Sequence, residues 1–301
     1  MSGDPRVLAV DQFVQTRHQY PPAYLDPASV RLPASFTVCI IGASTGIGEH
    51  IAYAYARAGA ARIILSSRTI GDLQVVAEAV EKINPAIQVD VVECDVSHAA
   101  AVEALASYVT SKCGRLDVLV LNAGYAGPVT LKMDQGNPDW VQRAFDVNAL
   151  GTYLAAHYFV PLLLASPNGA KGFIAVGSVA GCLRRGPIAN TGYTVSKMAQ
   201  IRLVECLHEQ FADEGLVSIA LHPGAVKTRM AEGNTPEVFL PYLTDDVALC
   251  GAVCVWLTKQ LQDIMWLSGR LICATWDMEE LMAKKDKIID GDLLKFALVT
   301  E

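Results

Sequence analysis

Seven short runs rich in β-branched residues punctuate the chain, at 36–41, 62–65, 88–93, 117–121, 172–177, 217–221 and 270–273. Between them, at 47–57, 73–83, 99–112, 140–165, 193–214 and 245–261, apolar residues recur at helical spacing. The strands are apolar along their whole length rather than at alternate residues, so both faces of the sheet need cover. Helices between consecutive strands supply it, and right-handed crossovers leave few topologies, of which the doubly wound one is the commonest. The expected fold is α/β, a single Rossmann-like domain over 36–275 with a seven-stranded parallel sheet. An arm at 1–35, rich in proline and tyrosine, is expected to lie on the body. A tail at 276–301 mixes charges with Leu281, Ile288, Leu294 and Phe296, which predicts short amphipathic helices packed on the body or on a partner subunit. With 52% hydrophobic and 18% charged residues, the 301-residue chain has the apolar material to offset the entropy of ordering such a domain.

The same composition narrows the partners. A net charge of −7, with no basic stripe or tail, argues against nucleic acid. Eight cysteines lie mostly in apolar runs without a Cys-x-x-Cys pair, which fits buried thiols in a cytoplasmic protein and gives no metal site. The run 147–165 is apolar enough to weigh as a membrane span, but Asn148, His157 and Pro161 interrupt it, so a buried helix is expected. The opening residues carry acidic groups and no apolar core, and are not read as a signal peptide.

The first strand runs straight into Gly42-Ala43-Ser44-Thr45-Gly46-Ile47-Gly48 and then a helix. In that setting Gly42 permits a tight turn, Gly46 a close backbone approach to a pyrophosphate, and Gly48 close packing of helix on strand. The helix start adds unpaired N–H groups and a positive dipole end, so the segment reads as a dinucleotide site, with Ser44, Thr45 and Ile47 among its contacts. The second strand ends Leu65-Ser66-Ser67-Arg68. Ser67 stands where an acid would hold the ribose 2′-hydroxyl of NAD, and the Arg68 guanidinium can pair with a 2′-phosphate, so NADP is expected over NAD.

Tyr193 and Lys197 lie four apart at the start of a helix and share one face, about 6 Å apart along the axis. A free tyrosine titrates near ~10, and a neighbouring ammonium needs to contribute only about 2.7 kcal/mol to lower that by about two units. Ser178 ends the fifth strand and Asn122-Ala123-Gly124 ends the fourth, at the carboxyl edge where a parallel sheet presents its ligands. Asn148 places an amide in mid-helix, where burial demands partners. Tyr193 is therefore the candidate acid/base.

Together these motifs resemble the short-chain dehydrogenase/reductase family over about 36–275. The family's glycine motif matches Gly42, Gly46 and Gly48, with Ile41 where a threonine is usual. Its adenine-contacting acid matches Asp95, followed by Val96, and its Asn-Asn-Ala-Gly motif matches Leu121-Asn122-Ala123-Gly124 with the first asparagine lost. Its catalytic tetrad matches Asn148, Ser178, Tyr193 and Lys197. Its Pro-Gly segment matches Pro223-Gly224, with Val226 and Thr228 placed to hold a nicotinamide carboxamide. The interval from Ser178 to Tyr193 is a couple of residues longer than usual, which alters the substrate wall. The arm and tail resemble those of fungal members tied to secondary metabolism.

The resemblance implies an NADP(H)-dependent oxidoreductase interconverting a carbonyl and an alcohol. Ser178 and Tyr193 would hold the substrate oxygen, Lys197 would lower the tyrosine pKa and bind the nicotinamide ribose, and Asn148 would hold a water linking Lys197 to solvent. The substrate falls among segments 125–140, 179–191 and an expected lid at 229–244. Leu183, Ile188, Met230, Val238, Phe239, Leu240 and Tyr242 there suit a bulky hydrophobic ketone or alcohol. Arg184 and Arg185 read as a solvated loop pair, and His222 as a packed strand-end residue. Two alternatives share the fold: a double-bond reductase, which the Tyr193/Ser178 pair disfavours, and a non-catalytic cofactor-binding protein, which has little need of a full tetrad. The apolar helices 140–165 and 193–214 resemble the family's dimer-forming pair, so a homodimer or homotetramer is expected.

Overall fold

A computed structural model describes residues 9–10 and 12–298. The outermost parts of the expected arm and tail, 1–8, 11 and 299–301, lie outside the described residues. The body is one sheet of seven parallel strands in the order β3-β2-β1-β4-β5-β6-β7. They are β1 Thr37–Ile41, β2 Arg62–Ser67, β3 Gln88–Glu93, β4 Val118–Leu121, β5 Gly172–Val176, β6 Val217–His222 and β7 Arg270–Cys273. The doubly wound fold expected from the strand pattern is the one present. β2 runs two residues further than its apolar run because Ser66 and Ser67 keep the ladder with Val92 and Glu93 of β3.

The helices are α1 Gly46–Arg57, α2 Ile70–Ile83, α3 Ala99–Cys113, α4 Pro138–Ala165, α5 Thr191–Phe211, α6 Arg229–Asn234, α7 Ala248–Lys259, α8 Met278–Ala283 and α9 Lys285–Asp290. Alternate residues of a strand point to opposite faces, and β1 shows the result. Val38 and Ile40 join a core with Ile51 of α1, Leu73 of α2 and Leu249 of α7, while Cys39 and Ile41 join a second core with Leu105 of α3, Phe159 of α4 and Val204 of α5. The apolar run weighed as a membrane span belongs to α4, whose most apolar window is half buried against α3, α5 and the sheet. α1 and α7 approach closely because Gly251 has no side chain: a Cβ there would lie 2.8 Å from His50 O and 3.0 Å from Ala54 Cβ.

Arm and tail are fastened to each other. His18 N donates to Thr275 O (2.7 Å), Asp277 N to Thr16 O (3.1 Å), and the Asp277 carboxylate meets His18 and Tyr24 at 2.9 and 3.0 Å. Trp276, 1% exposed, stacks on Phe13 of the arm at 5.1 Å between ring centroids, and its indole N–H donates to Val10 O (3.1 Å). The arm then crosses to the start of α7, where Asp246 N donates to Gln19 O at 2.7 Å. The two short tail helices bury Met278, Leu281 and Ile288 in the α1/α7 core. Beyond α9 the tail runs along the outer edge of β7: Leu271 N donates to Leu294 O (2.9 Å), and the Arg270 guanidinium holds Leu293 O and Asp292.

Trp276→Ala is expected to cost about 3–5 kcal/mol, since it removes a fully buried indole that also carries the stack on the arm. Urea unfolding checks the magnitude. Limited proteolysis should show cleavage appearing first at 12–22, and unchanged stability would mean that the arm is not part of the cooperative unit.

Candidate active site

The carboxyl ends of β1, β4, β5 and β6 open into one cleft of about 1210 Å³. Every catalytic and cofactor-binding residue expected from the sequence lines it except Gly48 and Asn148. Gly42, at φ +89°, turns the chain away from β1 so tightly that a Cβ would lie 2.5 Å from Ala123 N. A Cβ on Gly48 would stand 2.1 Å from Gly42 O, so Gly48 shapes the turn from behind. Asn122 Nδ2 donates to that same carbonyl at 2.7 Å, tying the end of β4 to the turn. The first turn of α1 faces the cleft through Gly46 and Ile47.

At one end of the cleft stand Ser67 at the end of β2, Arg68 just after it and Asp95 after β3. Arg68 is exposed. Burial works to raise the Asp95 carboxyl, but hydrogen bonds from Ser97 Oγ (2.6 Å) and Ser97 N (3.0 Å), with the charges of Arg68 and His98, outweigh it and hold the group below its ordinary value. Val96 is buried and packs where a side chain on Gly151 would otherwise sit, with both its methyls 3.0 Å from that Cβ position.

At the other end Ser178, Tyr193 and Lys197 come together. Ser178 follows β5 and caps the short turn Val179–Cys182, its hydroxyl accepting from Ala180 N at 3.1 Å. Burial pushes the Tyr193 phenol above its ordinary value, and a hydrogen bond from Ser178 pulls it the other way. Lys197 is buried and its amino group reaches Val176 O at 2.9 Å and Gln200 Oε1 at 2.8 Å. Desolvation brings it down to about 7. From the sequence, the Lys197 ammonium is expected to depress the tyrosine. In the structure burial dominates both groups, and Ser178 is the side chain that lowers the phenol.

Asn148 stands in a π-helical stretch of α4, Phe145–Leu150, where one extra residue per turn rotates the amide inward. Its Oδ1 accepts from Tyr125 N (2.9 Å) and its Nδ2 donates to Tyr125 O (2.8 Å) and Ser196 Oγ (2.9 Å), which answers the need for partners in mid-helix. Its backbone carbonyl accepts from Thr152 Oγ1 at 2.7 Å, and Gln200 Nε2 donates to Thr152 Oγ1 at 3.0 Å. Two side chains, Gln200 and Thr152, therefore connect Lys197 to Asn148.

The roof is a turn at Pro223–Val226. Gly224 has φ +98°, and a Cβ there would meet Asp245 Oδ2 at 2.7 Å. Asp245 Oδ2 accepts from Ala225 N at 2.6 Å, and Val226 and Asp245 form a parallel bridge. Asp245 was legible only as the start of a helix; its position after the lid and before α7 was the available signal. Thr228 caps α6, accepting from Ala231 N at 3.2 Å, and its methyl stands 3.4 Å from a Cβ position on Gly46, which closes the cradle from above.

The expected lid, 229–244, consists of α6 and a 3-10 turn, Glu237–Tyr242, over the cleft. Leu183, Ile188, Met230, Phe239 and Tyr242 line the cleft as expected, but Val238 and Leu240 do not: with three residues per turn Phe239 and Tyr242 share the inward face, and Val238 is left 66% exposed. The arm adds a wall that periodicity did not reveal, since residues 17–22 line the same cleft. His222 is half buried at the end of β6; burial brings its imidazole down to about 3, with the charges of Arg17 and Lys197 adding to the effect, so it is neutral near pH 7.

The sequence matches the short chain dehydrogenase family over residues 36–238. It is 40% identical over 295 residues to the short chain dehydrogenase pgmD of Aspergillus terreus, covering 95% of this chain and 94% of the relative. It is 37% identical over 265 residues to the short chain dehydrogenase citE of Monascus ruber, covering 87% and 88%. Among solved structures, a 7α-hydroxysteroid dehydrogenase complexed with NADH and 7-oxo glycochenodeoxycholic acid superposes with a TM-score of 0.70 at 22% identity, over 84% of this chain and 96% of that one. A short chain dehydrogenase of Shigella flexneri complexed with NADP superposes with a TM-score of 0.69 at 26% identity, over 79% and 96%. With seven parallel strands in doubly wound order and a family match across most of the sheet, the chain belongs to the short-chain dehydrogenase/reductase family of oxidoreductases.

Proposed function

We propose that this chain is an NADP(H)-dependent oxidoreductase that interconverts a carbonyl and an alcohol on a hydrophobic small molecule. The observation that carries the reading is the convergence of Ser178, Tyr193 and Lys197 on a cleft that continues to the glycine turn and Arg68. The cradle fits a dinucleotide: Gly42, Gly46 and Gly224 hold positive φ, which disfavours any side chain there and leaves the backbone bare toward the cleft. Ser44, Thr45, Gly46 and Ile47 would hold the pyrophosphate, Asp95 and Val96 the adenine, Asn122, Ala123 and Gly124 the floor, and Val226 and Thr228 the carboxamide. The cofactor supplies or takes the hydride at the substrate carbon.

In the reducing direction the phenol is kept protonated by burial, which is the form that can give a proton to a carbonyl oxygen. Ser178, hydrogen-bonded to it, orients the same oxygen. In its charged form Lys197 has a third N–H for the nicotinamide ribose beyond the two that Val176 O and Gln200 take. The substrate wall of Leu183, Ile188, Met230, Phe239 and Tyr242 excludes water and favours a bulky apolar molecule. The Ser178–Tyr193 hydrogen bond supports carbonyl chemistry over reduction of a carbon–carbon double bond. Likeness to relatives from Aspergillus and Monascus supports a role in fungal secondary metabolism, and the free cysteines fit the cytoplasm. Leu150 and Tyr153 of α4 and Val195 and Met198 of α5, between 38% and 53% exposed, form an apolar face suited to a second copy of the chain.

Tyr193→Phe is expected to lower NADPH oxidation with a panel of cyclic ketones, diketones and quinones by about 10²–10⁴-fold, while NADPH binding followed by fluorescence is retained. Full activity in that variant would sink the mechanism. Removing the 2′-phosphate partner with Arg68→Ala should weaken NADPH binding by about 10–100-fold and leave NADH binding unchanged; equal losses for both cofactors would refute the assignment. Light scattering at micromolar concentration should give the mass of a dimer or tetramer, and a monomer would refute the proposed face.

A further inference from the structure

Gln200 lies on α5 three residues after Lys197, with 0% of its surface exposed. A buried primary amide is costly unless each end has a partner, and here both ends do. The orientation of that amide follows from donors and acceptors alone. Asn148 O can only accept, so the Thr152 hydroxyl proton is committed to it at 2.7 Å. The threonine oxygen is then an acceptor, and Gln200 Nε2 fills it at 3.0 Å. With its nitrogen end fixed on Thr152, the glutamine turns Oε1 to the Lys197 amino group, 2.8 Å away. The polarity of the whole chain is thus set by one backbone carbonyl in the π-helical stretch of α4.

We infer that Gln200, oriented by Thr152, is a positioning residue that holds the charged form of Lys197 and, together with Val176 O, aims its remaining N–H into the cleft. The inference rests on the function proposed above for Lys197 and deepens it. An apolar side chain of similar volume fills the same space but offers the ammonium no acceptor. The link from the lysine to the asparagine carbonyl then runs through two protein side chains, whose positions are fixed by packing.

Among the described residues, the titratable groups that face Lys197 are Tyr193 from its own helix and His222 from the end of β6, beyond which lies the charge of Arg17. His222 stays neutral down to about 3 and burial keeps Tyr193 above its ordinary value, so neither changes charge between about pH 6 and about pH 9. Lys197 does. Its ordinary value of 10.5 applies in the unfolded chain, and burial brings it down to about 7 in the fold. The fold therefore bears the full cost of burying the ammonium below about pH 7, and that cost is relieved as pH rises toward the unfolded value. Loss of an acceptor that favours the ammonium deepens the acid-side cost and does little above it.

Melting temperatures of the wild type, Gln200→Leu, Gln200→Glu, Lys197→Met and the Lys197→Met/Gln200→Leu double variant, taken at about pH 6 and about pH 9, test this. Gln200→Leu should lose about 3 °C more at the lower pH than at the higher, for a lysine shifted by about one further unit. That extra loss should vanish in the Lys197→Met background. Gln200→Glu should flatten the pH dependence, because a carboxylate beside the amine holds it charged. Equal losses at both pH values, or an acid-side loss that persists without the lysine, would overturn the inference. NADPH turnover absent from the wild type would count against the proposed function, and the thermal cycle would still decide whether Gln200 and Lys197 are coupled.

Discussion

One hydrogen bond sits at the seam on which the rest of the molecule depends: Asn122 Nδ2 to Gly42 O, 2.7 Å, between the ends of the two central strands. β1 and β4 are neighbours in the sheet, but the chain leaves them in opposite directions, toward β2 on one side and β5 on the other. A doubly wound sheet opens a crevice at that divergence. Backbone must cross it closely, with Gly42 against Ala123 and Gly48 against Gly42 O, and no Cβ fits at either glycine. The side-chain amide satisfies a carbonyl that the tight turn removes from the ladder. Positions farther along the rim, from Arg68 on one flank to Tyr193 on the other, inherit their spacing from this contact.

The polar groups on the far flank form a second, buried layer. Asn148, Ser196, Lys197, Gln200 and Thr152 are all buried, and each has a hydrogen-bond partner within the group or on the adjoining backbone. In a low-dielectric interior a fully partnered network fixes side-chain geometry more firmly than apolar packing alone. The cleft is thus bounded by backbone at the glycine turn and by an ordered amide–hydroxyl cluster under Tyr193. Desolvation there keeps the phenol protonated and the amine only weakly basic.

Much of this was legible in the sequence. The seven strands appear where β-branched runs place them, because strands covered on both faces need continuous apolar residues. The glycine turn and the Ser178, Tyr193 and Lys197 set were visible through residue type and spacing. What escaped depends on tertiary contact. The π-helical stretch at Phe145–Leu150 has no periodic signature, and Val238 and Leu240 looked like cleft residues because composition cannot show which side of a 3-10 turn faces inward. Asp245 and Gln200 read as ordinary helix residues, since Ala225 and Thr152, which fix their orientation, lie 20 and 48 residues away along the chain. The arm's contribution to the cleft rests on its bridge to Trp276, from the opposite end of the sequence.

The strap that follows α9 along β7 sets where the sheet stops. A parallel sheet ends in two rows of unused amide and carbonyl groups, each a template for another strand. On one flank Leu294 O occupies Leu271 N while the Arg270 guanidinium draws Leu293 O and Asp292 against the strand. On the other flank β3 exposes Gln88 and Glu93 at its two ends, so an incoming strand would meet a polar group at either end. One boundary is closed by the chain's own continuation and the other is flanked by polar groups, which leaves the helical faces as the broad surfaces not bordered in either way.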